Sequence, residues 1–277
     1  VPTLVRDQDR LGELVGKYGL VILDEAHHCP ATTFTKVLAS LNPYYLYGLT
    51  ATPYRRDKLE ELMFQTIGPV LARIDHSEIK AVGGIVTPIV RYRQIYSPVI
   101  QTNDIHYIIE KLVYNKERNG LIVGDVLREA IAGNFCIVLT DRKPHAEILY
   151  NMIKIGWEKT GIATGKYTRK YVEEQVARLH SSEITVLVCT FALLGEGFDV
   201  PFLNRAFITL PFRAEGKVEQ LIGRIQRTHE GKKDAIVYDY VDVNIGVVAN
   251  QFFTPSRNDC RYRVYQRLGL DVKPYDD

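Results

Sequence analysis

The chain has 277 residues, a length that suggests one large domain or two ordinary ones. Hydrophobic residues make up 46% of the sequence and charged residues 25%, which is typical of a globular protein, and no apolar run is long enough to span a bilayer. The formal net charge of +2 excludes a global basic field. Any nucleic-acid partner must therefore be held by local clusters or by backbone groups.

The four cysteines are scattered and include no C-x-x-C pair, which argues against a zinc site or a disulfide framework. Cys136 and Cys189 lie in apolar, strand-like runs and are predicted to be small buried hydrophobic residues. This pattern favours a reducing compartment, so we expect the cytoplasm, or the nucleus if the source is eukaryotic.

The first 85 residues alternate apolar runs with amphipathic ones. This order predicts a strand at 19–23, a helix at 31–41, a strand at 44–50 and a helix at 57–66. Residues 86–103 differ, because glycine and proline surround a β-rich stretch with weak alternation. We interpret them as a connector between domains.

Residues 104–245 repeat the alternation more regularly. Helices are predicted at 105–115, 121–132, 144–155, 168–179 and 215–225, and strands at 134–139, 161–164, 184–189, 205–210 and 235–240. Alternating strands and helices favour an α/β fold in which a mostly parallel sheet is covered on both faces. Residues 246–277 are a C-terminal extension, with a last helix predicted at 261–268.

Two carboxylates, Asp24 and Glu25, directly follow the apolar run Leu20–Leu23. Open α/β sheets hold ligands at the carboxyl ends of their strands. An aspartate there can hold Mg²⁺ through water, and the neighbouring glutamate can orient and deprotonate an attacking water. Thr50 and Thr52 end the next strand, where their hydroxyls could contact the carboxylates. Taken alone, the acidic pair could equally cap a helix.

Further candidate residues follow the strands of the second block. Gly195 and Gly197 permit close backbone approach to a ligand, and Asp199 can accept a hydrogen bond from a ribose hydroxyl. Arg224 and Arg227 are three apart on a predicted helix, so they would share a face and could present two guanidinium groups to a phosphate. The alternatives are an ordinary strand-exit turn and a solvated helix face.

Together and in this order, these segments resemble the motifs of superfamily 2 helicases and translocases. The similar segments are Asp24–His27 for the DEAH form of motif II, Thr50–Thr52 for motif III, Thr190–Asp199 for motif V and Gln220–Arg227 for motif VI. The doubled histidine and the Glu-Gly-Phe-Asp-Val-Pro form resemble most closely the branch that holds XPB-type DNA repair helicases and the motor subunits of restriction enzymes.

The resemblance implies two RecA-like domains, an incomplete first one at 1–85 and a second at 104–245. It implies ATP as the nucleotide, Mg²⁺ held through water by Asp24, and Glu25 as the base that activates water. By the same resemblance, the phosphate contacts are Gln220, Arg224 and Arg227, and the residues that couple nucleotide to strand binding are His27, Thr50 and Thr52.

The resemblance also implies a nucleic-acid partner, with DNA expected more than RNA, and no membrane partner. The candidate strand contacts are Thr3, Thr140, Arg142, Thr164, Gly165 and Thr190. Hydroxyls and backbone N–H groups suit this role, because a motor that steps along any sequence contacts phosphates and not bases.

The family's P-loop, G-x-x-x-x-G-K-[ST], has no match in the sequence. Gly12–Tyr18 and Gly161–Tyr167 come near, but each has three residues between its glycines and a tyrosine in place of the hydroxyl residue that binds Mg²⁺. We therefore expect the C-terminal part of a longer ATP-dependent helicase or translocase, with an exposed sheet edge in its first domain. Little activity is expected unless an upstream segment or a separate chain supplies the P-loop.

The rival hypothesis is a non-catalytic module that binds nucleic acid or a protein partner and keeps motif II as a relic. Glu25, Arg224 and Arg227 argue against it, because a binding module has no evident need for a base or for phosphate-binding arginines. The C-terminal stretch Phe252–Arg267 interleaves aromatic residues with arginines. It is predicted to dock its tyrosines on the second domain, with a base-stacking surface as the alternative.

Overall fold

The computed structural model describes residues 7–26, 32–50, 60–74, 78, 84–98, 102–194, 198–212, 215–254 and 260–275. The chain divides into two compact units, Val1–Ile74 and Asp75–Asp277, and each is an α/β arrangement with parallel strands. Within the described ranges, no helix is both long enough and apolar enough to cross a membrane.

The first unit contains a parallel pair of strands. Its described elements are α1 (Gln8–Gly12), β1 (Leu20–Leu23), α2 (Thr32–Leu41), β2 (Tyr45–Gly48) and α3 (Glu60–Ile67). β1 and β2 pair in register from Leu20 opposite Tyr45 to Leu23 opposite Gly48. The small core comprises Leu23, Ala26, Leu38 and Met63. On the other face, the side chains of Leu20, Ile22, Tyr45 and Tyr47 are exposed.

The second unit is built on one seven-stranded parallel sheet. Its elements are β3 (Ile89–Ile95), α4 (Ile105–Val113), α5 (Lys116–Ile131), β4 (Cys136–Thr140), α6 (Lys143–Gly156), β5 (Thr160–Ala163), α7 (Arg169–His180), β6 (Val186–Thr190), β7 (Arg205–Ile208), α8 (Glu215–Ile225), β8 (Ile236–Asp242), α9 (Gly246–Phe253), α10 (Arg261–Arg267) and β9 (Asp271–Pro274). The strand order is β5-β6-β4-β7-β8-β3-β9. The α/β expectation is confirmed, and both faces of this sheet are covered.

The sheet changes its winding direction between β4 and β7. Val138 of β4 packs with Leu149 of α6 on one face, whereas Leu139 packs with Leu221 of α8 on the other. The helix that follows β4 therefore covers one face and the helix that follows β7 covers the opposite one. Adjacent strands with opposite crossovers leave a crevice at their carboxyl ends, which is the usual ligand position in open α/β sheets.

The segment 86–103 is more than a connector. It contains β3, which pairs in parallel with β8 on one side and β9 on the other. The alternation of apolar and polar residues in β3 is weak because the strand contains arginines. The fold accommodates one of them, Arg93, by pairing it with Asp125 at 2.7 Å. The boundary between the compact units lies at Ile74/Asp75, and the domain bounds at residues 85 and 103 stay a prediction.

The C-terminal extension packs on the second unit. α10 forms close to the predicted range, and Phe252 and Tyr265 are fully buried in the core, which confirms the docking of the aromatic residues. Arg261 holds α10 in place: two of its nitrogens donate to the Asp239 carboxylate at 2.8 and 2.9 Å, and Tyr265 Oη donates to the same group at 2.9 Å. Burial and the Asp239 charge raise the pKa of Tyr265 well above its usual value.

Cys136 and Cys189 are buried in β4 and β6, as predicted. Burial raises the pKa of both thiols, so they stay protonated and behave as small hydrophobic residues.

Candidate functional site

The acidic pair lies in a tight turn at the carboxyl end of β1. The Leu49 amide donates to Leu23 O and the Ala26 amide donates to Leu49 O, both at 2.9 Å, so the turn is fastened to the end of β2. The Glu25 amide donates to Asp24 Oδ1 at 2.9 Å. Glu25 has a φ of 51°, an uncommon left-handed conformation for a side chain other than glycine. Such strained positions cluster at functional sites.

Gly48 allows the close approach of this turn to β2. A Cβ at Gly48 would lie 2.8 Å from Ala26 Cβ and 3.1 Å from Ile67 Cδ1, distances that leave no room for a side chain. Thr50 follows at the end of the same strand, beside the acidic turn. Sequence analysis missed Gly48, because a glycine at the end of a strand gives no signal that distinguishes a turn from a close contact.

The exposed Asp24 carboxylate fits a magnesium ion held through water. The described residues contain no group of three or more potential metal ligands. Mg²⁺ usually keeps several waters and binds one or two carboxylates together with substrate phosphates, so one protein carboxylate is a sufficient anchor. His27 and Thr52, predicted to couple nucleotide to strand binding, lie outside the described residues.

In the second unit, residues of motifs V and VI meet. Asp199 and Arg227 form an ion pair and are partly exposed. Arg227 does not share a helix face with Arg224, contrary to the prediction, because α8 ends at Ile225 and Arg227 forms an antiparallel bridge with Ile85. Arg224 and Gln220 lie four residues apart on α8, so they do share a face, and Gln220 is exposed. Gly195 and Gly197 lie outside the described residues.

Lys232 binds the last carbonyl of α8 and the loop that contains Arg227. Its ammonium group donates to three backbone carbonyls, those of Pro201 at 3.0 Å, Ile225 at 2.6 Å and Arg227 at 2.8 Å. The three acceptors use all three of its donors and tie the segment after Asp199 to the end of α8. Burial lowers the pKa of Lys232 to about 8. No sequence pattern marks this role, since a lysine that follows a glycine in a turn is ordinary.

Three predicted strand contacts lie in a row at the carboxyl edge of the sheet. Thr140 and Thr190 are register partners on β4 and β6, and Thr164 directly follows the neighbouring β5. The side chains of Thr140 and Thr164 are buried, and their hydroxyls accept from the amides of Arg142 at 3.2 Å and Lys166 at 3.3 Å. They therefore shape the turns instead of facing solvent.

The groups that these turns present to solvent include Gly165, the partly exposed Arg142, and the exposed Asp141 and Lys166. Lys143 Nζ, also at this edge, donates to Gly165 O at 3.2 Å. Backbone groups and cations at an exposed edge suit contact with phosphates. Thr3 lies outside the described residues.

The buried Thr140 hydroxyl also contacts the ring of His145. Its Nδ1 lies 3.0 Å from Thr140 Oγ1 and its Nε2 lies 3.0 Å from Asn119 Oδ1. Burial, and secondly the nearby Arg118 charge, lower the pKa of His145 to about 3, so the ring is neutral at physiological pH. This network was not predicted, because its members are distant in sequence.

Comparison with known proteins agrees with these motifs. The family model of the res subunit of type III restriction enzymes matches residues 2–55. Protein L396 of Acanthamoeba polyphaga mimivirus, named as a candidate ATP-dependent RNA helicase, is 25% identical, with 95% of this chain and 50% of L396 aligned. Probable helicase D10 of Escherichia phage T5 is 27% identical, with 81% and 49% aligned. The chain thus spans about half the length of these relatives.

Solved structures share the fold. A fragment of a candidate HsdR subunit of a type I restriction enzyme from Vibrio vulnificus aligns with a TM-score of 0.65 at 18% identity, covering 92% of this chain and 47% of that one. Dbp5 of Saccharomyces cerevisiae bound to RNA and ADP BeF3 aligns with a TM-score of 0.58 at 15% identity, covering 99% and 63%. The RecA-like expectation is confirmed, whereas the narrower XPB-type branch stays a prediction. In its motifs, its family match over residues 2–55 and its fold, the chain is similar to helicase-type proteins of superfamily 2.

Proposed function

We propose that the chain is part of an ATP-dependent motor that moves along nucleic acid, with DNA favoured over RNA. In this proposal Asp24 anchors Mg²⁺ through water and Glu25 activates the water that attacks the γ-phosphate. Gln220, Arg224 and Arg227 contact the phosphates, and Asp199 contacts the ribose. The nucleotide's phosphates also need a P-loop, which an upstream segment or a separate chain would supply.

The proposal rests mainly on the strained turn at Glu25. Glu25 has a left-handed backbone conformation beside the exposed Asp24, in a turn that is hydrogen-bonded to the end of β2. This conformation costs free energy that a simple helix cap would not require. Two adjacent carboxylates lie in this turn, directly after the end of one strand. That arrangement suits metal-assisted hydrolysis better than passive binding.

The Asp199–Arg227 ion pair supports the second half of the proposal. Each partner is partly exposed, so the pair can open when a nucleotide offers a ribose hydroxyl to the carboxylate and a phosphate to the guanidinium. Before nucleotide binds, the pair holds both side chains near the positions where they are needed. Lys232 keeps the backbone under Arg227 fixed during that exchange.

A test uses the longer protein with its P-loop, or the chain supplied with a P-loop-bearing partner, and compares native protein with Glu25→Gln. We expect single-stranded DNA to stimulate ATP hydrolysis, and the substitution to lower turnover by at least about 100-fold, because a positioned general base contributes that much. ATP binding should persist in the variant. Matched DNA and RNA strands in the same assay distinguish the two polymers.

The control is Glu13→Gln, the same chemical change at an exposed residue of the same unit. It should leave turnover unchanged. Turnover of Glu25→Gln equal to that of native protein would favour the rival, a non-catalytic binding module.

A further inference from the structure

Lys217 lies in the first turn of α8 and joins two segments that the sequence predicts to have separate roles. Its ammonium group donates to both carboxylate oxygens of Asp141 at 2.8 Å. Asp141 directly follows β4, between the predicted strand contacts Thr140 and Arg142. A cation in the first turn is opposed by the helix dipole, so Lys217 does not stabilise α8 by itself. It links the predicted strand-binding edge to the helix that carries the predicted phosphate contacts.

Two aromatic rings position the ammonium group of Lys217. Its Nζ lies 5.3 Å from the centroid of the Phe191 ring and 5.5 Å from that of the Phe212 ring, both within the roughly 6 Å of a cation–π contact. The two rings are buried and pack edge to face at 4.6 Å. Phe191 directly follows Thr190, another predicted strand contact. The position of the charge therefore does not depend on Asp141 alone.

The ion pair is open to an incoming anion. The side chains of Lys217 and Asp141 are 37% and 32% exposed, and pairs in contact with water contribute little to stability. Lysine forms charge-assisted hydrogen bonds with phosphate as it does with carboxylate, so a phosphate can take the place of Asp141. Arg142 and Lys143 follow Asp141 in the chain and add positive charge to the same edge. Lys143 Nζ donates to Gly165 O, which fixes it there.

The face of α8 that begins with Lys217 continues to the predicted phosphate contacts. Gln220 is three residues further along the helix and Arg224 is seven, so the three residues lie on one face. A rigid helix transmits a displacement at one end to the other. A change of partner at Lys217 is therefore transmitted to Gln220 and Arg224.

We propose that Lys217 couples strand binding to the nucleotide site: a phosphate of the nucleic-acid strand replaces Asp141 as its partner and thereby repositions α8. Lys217 is then a strand contact and a positioning residue for Gln220 and Arg224, and Asp141 occupies it while no strand is bound. The inference deepens the proposed function and rests on it for the strand as the source of the phosphate; a free phosphate ion is the other source.

Three variants test the proposal. Lys217→Met removes the ammonium group and keeps an apolar stem, whereas Asp141→Asn removes the competing charge and keeps the size. The matched control is Lys154→Met, which changes an exposed lysine whose Nζ lies 5.2 Å from the centroid of the Tyr150 ring, in the last turn of α6. All three variants should unfold close to the temperature of native protein, because the altered groups are exposed or partly exposed.

The first experiment measures binding of chain 1–277 to a short oligothymidylate. Lys217→Met should weaken binding by about 3- to 10-fold and lower the slope of log K against log salt by about 0.7, as expected for one lost phosphate contact. Asp141→Asn should tighten binding, because it removes the competitor, and this gain should be absent in the double variant. Lys154→Met should bind like native protein.

The opposite signs separate the proposal from a purely structural ion pair, which loses the same contact whichever partner is removed. Weaker binding in Asp141→Asn, or native binding in Lys217→Met, would overturn the proposal. A gain from Asp141→Asn that persists in the double variant would overturn it too, since the gain would then come from net charge alone. Absence of strand binding by native chain 1–277 counts against the proposal in the same way.

The second experiment follows hydrogen exchange of the α8 amides with saturating oligothymidylate. The strand should change this exchange in native protein and in Lys154→Met, and leave it unchanged in Lys217→Met. Unchanged exchange in native protein would overturn the coupling. Inorganic phosphate at the same phosphate concentration is the control, and an equal change with it would assign Lys217 to a free anion and overturn the strand contact.

The ATPase of the longer protein separates this proposal from the proposed function. If Lys217→Met and Asp141→Asn do not act with opposite signs while a strand still stimulates that ATPase, this proposal fails and the proposed function stands. If no strand stimulates the ATPase but the opposite effects on binding occur, the motor function fails and Lys217 is a strand contact of a binding module.

Discussion

Both units contain short, apolar parallel strands that end in a polar turn, but the two units bury the side chains of these strands to very different extents. In β1 the side chains of Leu20 and Ile22 are 50% and 56% exposed, and Tyr45 opposite Leu20 is 57% exposed. In β4, every residue from Cys136 to Thr140 is buried. The sequences of β1 and β4 do not predict this difference in burial, since both strands are short apolar runs.

The difference shows that an apolar strand is stable only to the extent that other elements cover it. Helices cover both faces of the second unit's sheet, whereas the described residues of the first unit cover one face of theirs. All-parallel sheets in proteins are covered on both faces. We therefore expect the second unit to dominate the resistance of the chain to unfolding, and the first unit to respond to changes mainly at its one packed face.

The largest expected effect is that of Asp239→Ala in the second unit. The substitution leaves the Arg261 guanidinium buried without its carboxylate, which should lower the free energy of unfolding by about 3–5 kcal/mol. Denaturant unfolding followed by hydrogen exchange of the β8 amides measures this loss. The control is Asp271→Ala, which removes an exposed pair with Lys273 and should cost less than about 1 kcal/mol. Equal losses in the two variants would contradict the assigned importance of burial.

Acid should destabilise the second unit through His145. Its pKa in the folded protein is about 3, below the ordinary value of 6.5. Between these two values, His145 is protonated in the unfolded chain and neutral in the folded chain. The contribution of His145 is fully present above pH 6.5 and is lost as the pH falls from 6.5 toward 3, by up to about 1.4 kcal/mol per pH unit.

The measurement is the free energy of unfolding of the second unit between pH 7 and pH 4, followed by hydrogen exchange of the β4 amides. His145→Gln, which can keep the contact with Asn119 and cannot titrate, should flatten the slope. An unchanged slope in His145→Gln would assign the acid sensitivity to other groups.

The sequence predicted most helices and strands of residues 104–245, because regular alternation and capping residues set them locally, but it missed α9 and β9 in the C-terminal extension. α8 formed at the expected 215–225, and Pro144 marks the start of α6. The sequence predicts a β-rich connector at 86–103 but not that β3 joins the sheet, because Arg93 is neutralised by Asp125, 32 residues along the chain. Local patterns do not carry such distant partners.

The same limit applies to the candidate site. The order of motifs was sufficient to select Asp24, Glu25, Asp199 and Arg227, and Asp199 and Arg227 do meet. Residues that act through a neighbour gave no signal in the sequence. Gly48 becomes significant only when its close approach to Ala26 is seen, and Lys232 only when its three carbonyl acceptors are seen.

A smaller effect is expected at Gly48 in the first unit, where β2 lies close to Ala26. Gly48→Ala places a methyl group against Ala26 and Ile67, and overpacking of this kind costs about 1–3 kcal/mol. Because the methyl group presses on the turn of Asp24 and Glu25, ATP turnover of the longer protein should fall as well. The control is Gly19→Ala at the start of β1, where an added Cβ meets nothing within 4 Å. Equal behaviour of the two variants would show that the turn does not need this close approach.

The smallest expected effect is that of Ile22→Ala on the exposed face of β1, and it gives the most direct test of the comparison. The same substitution at Ile137, in the fully covered β4, should cost about 2–5 kcal/mol through lost burial and a residual cavity. At Ile22 the side chain already faces solvent, and its register partner Tyr47 is exposed as well, so the loss should stay below about 1 kcal/mol. Hydrogen exchange of the two strands in each variant measures both losses in the same chain. A cost at Ile22 as large as that at Ile137 would mean that the face of β1 is covered in solution, and the contrast between the two units would then disappear.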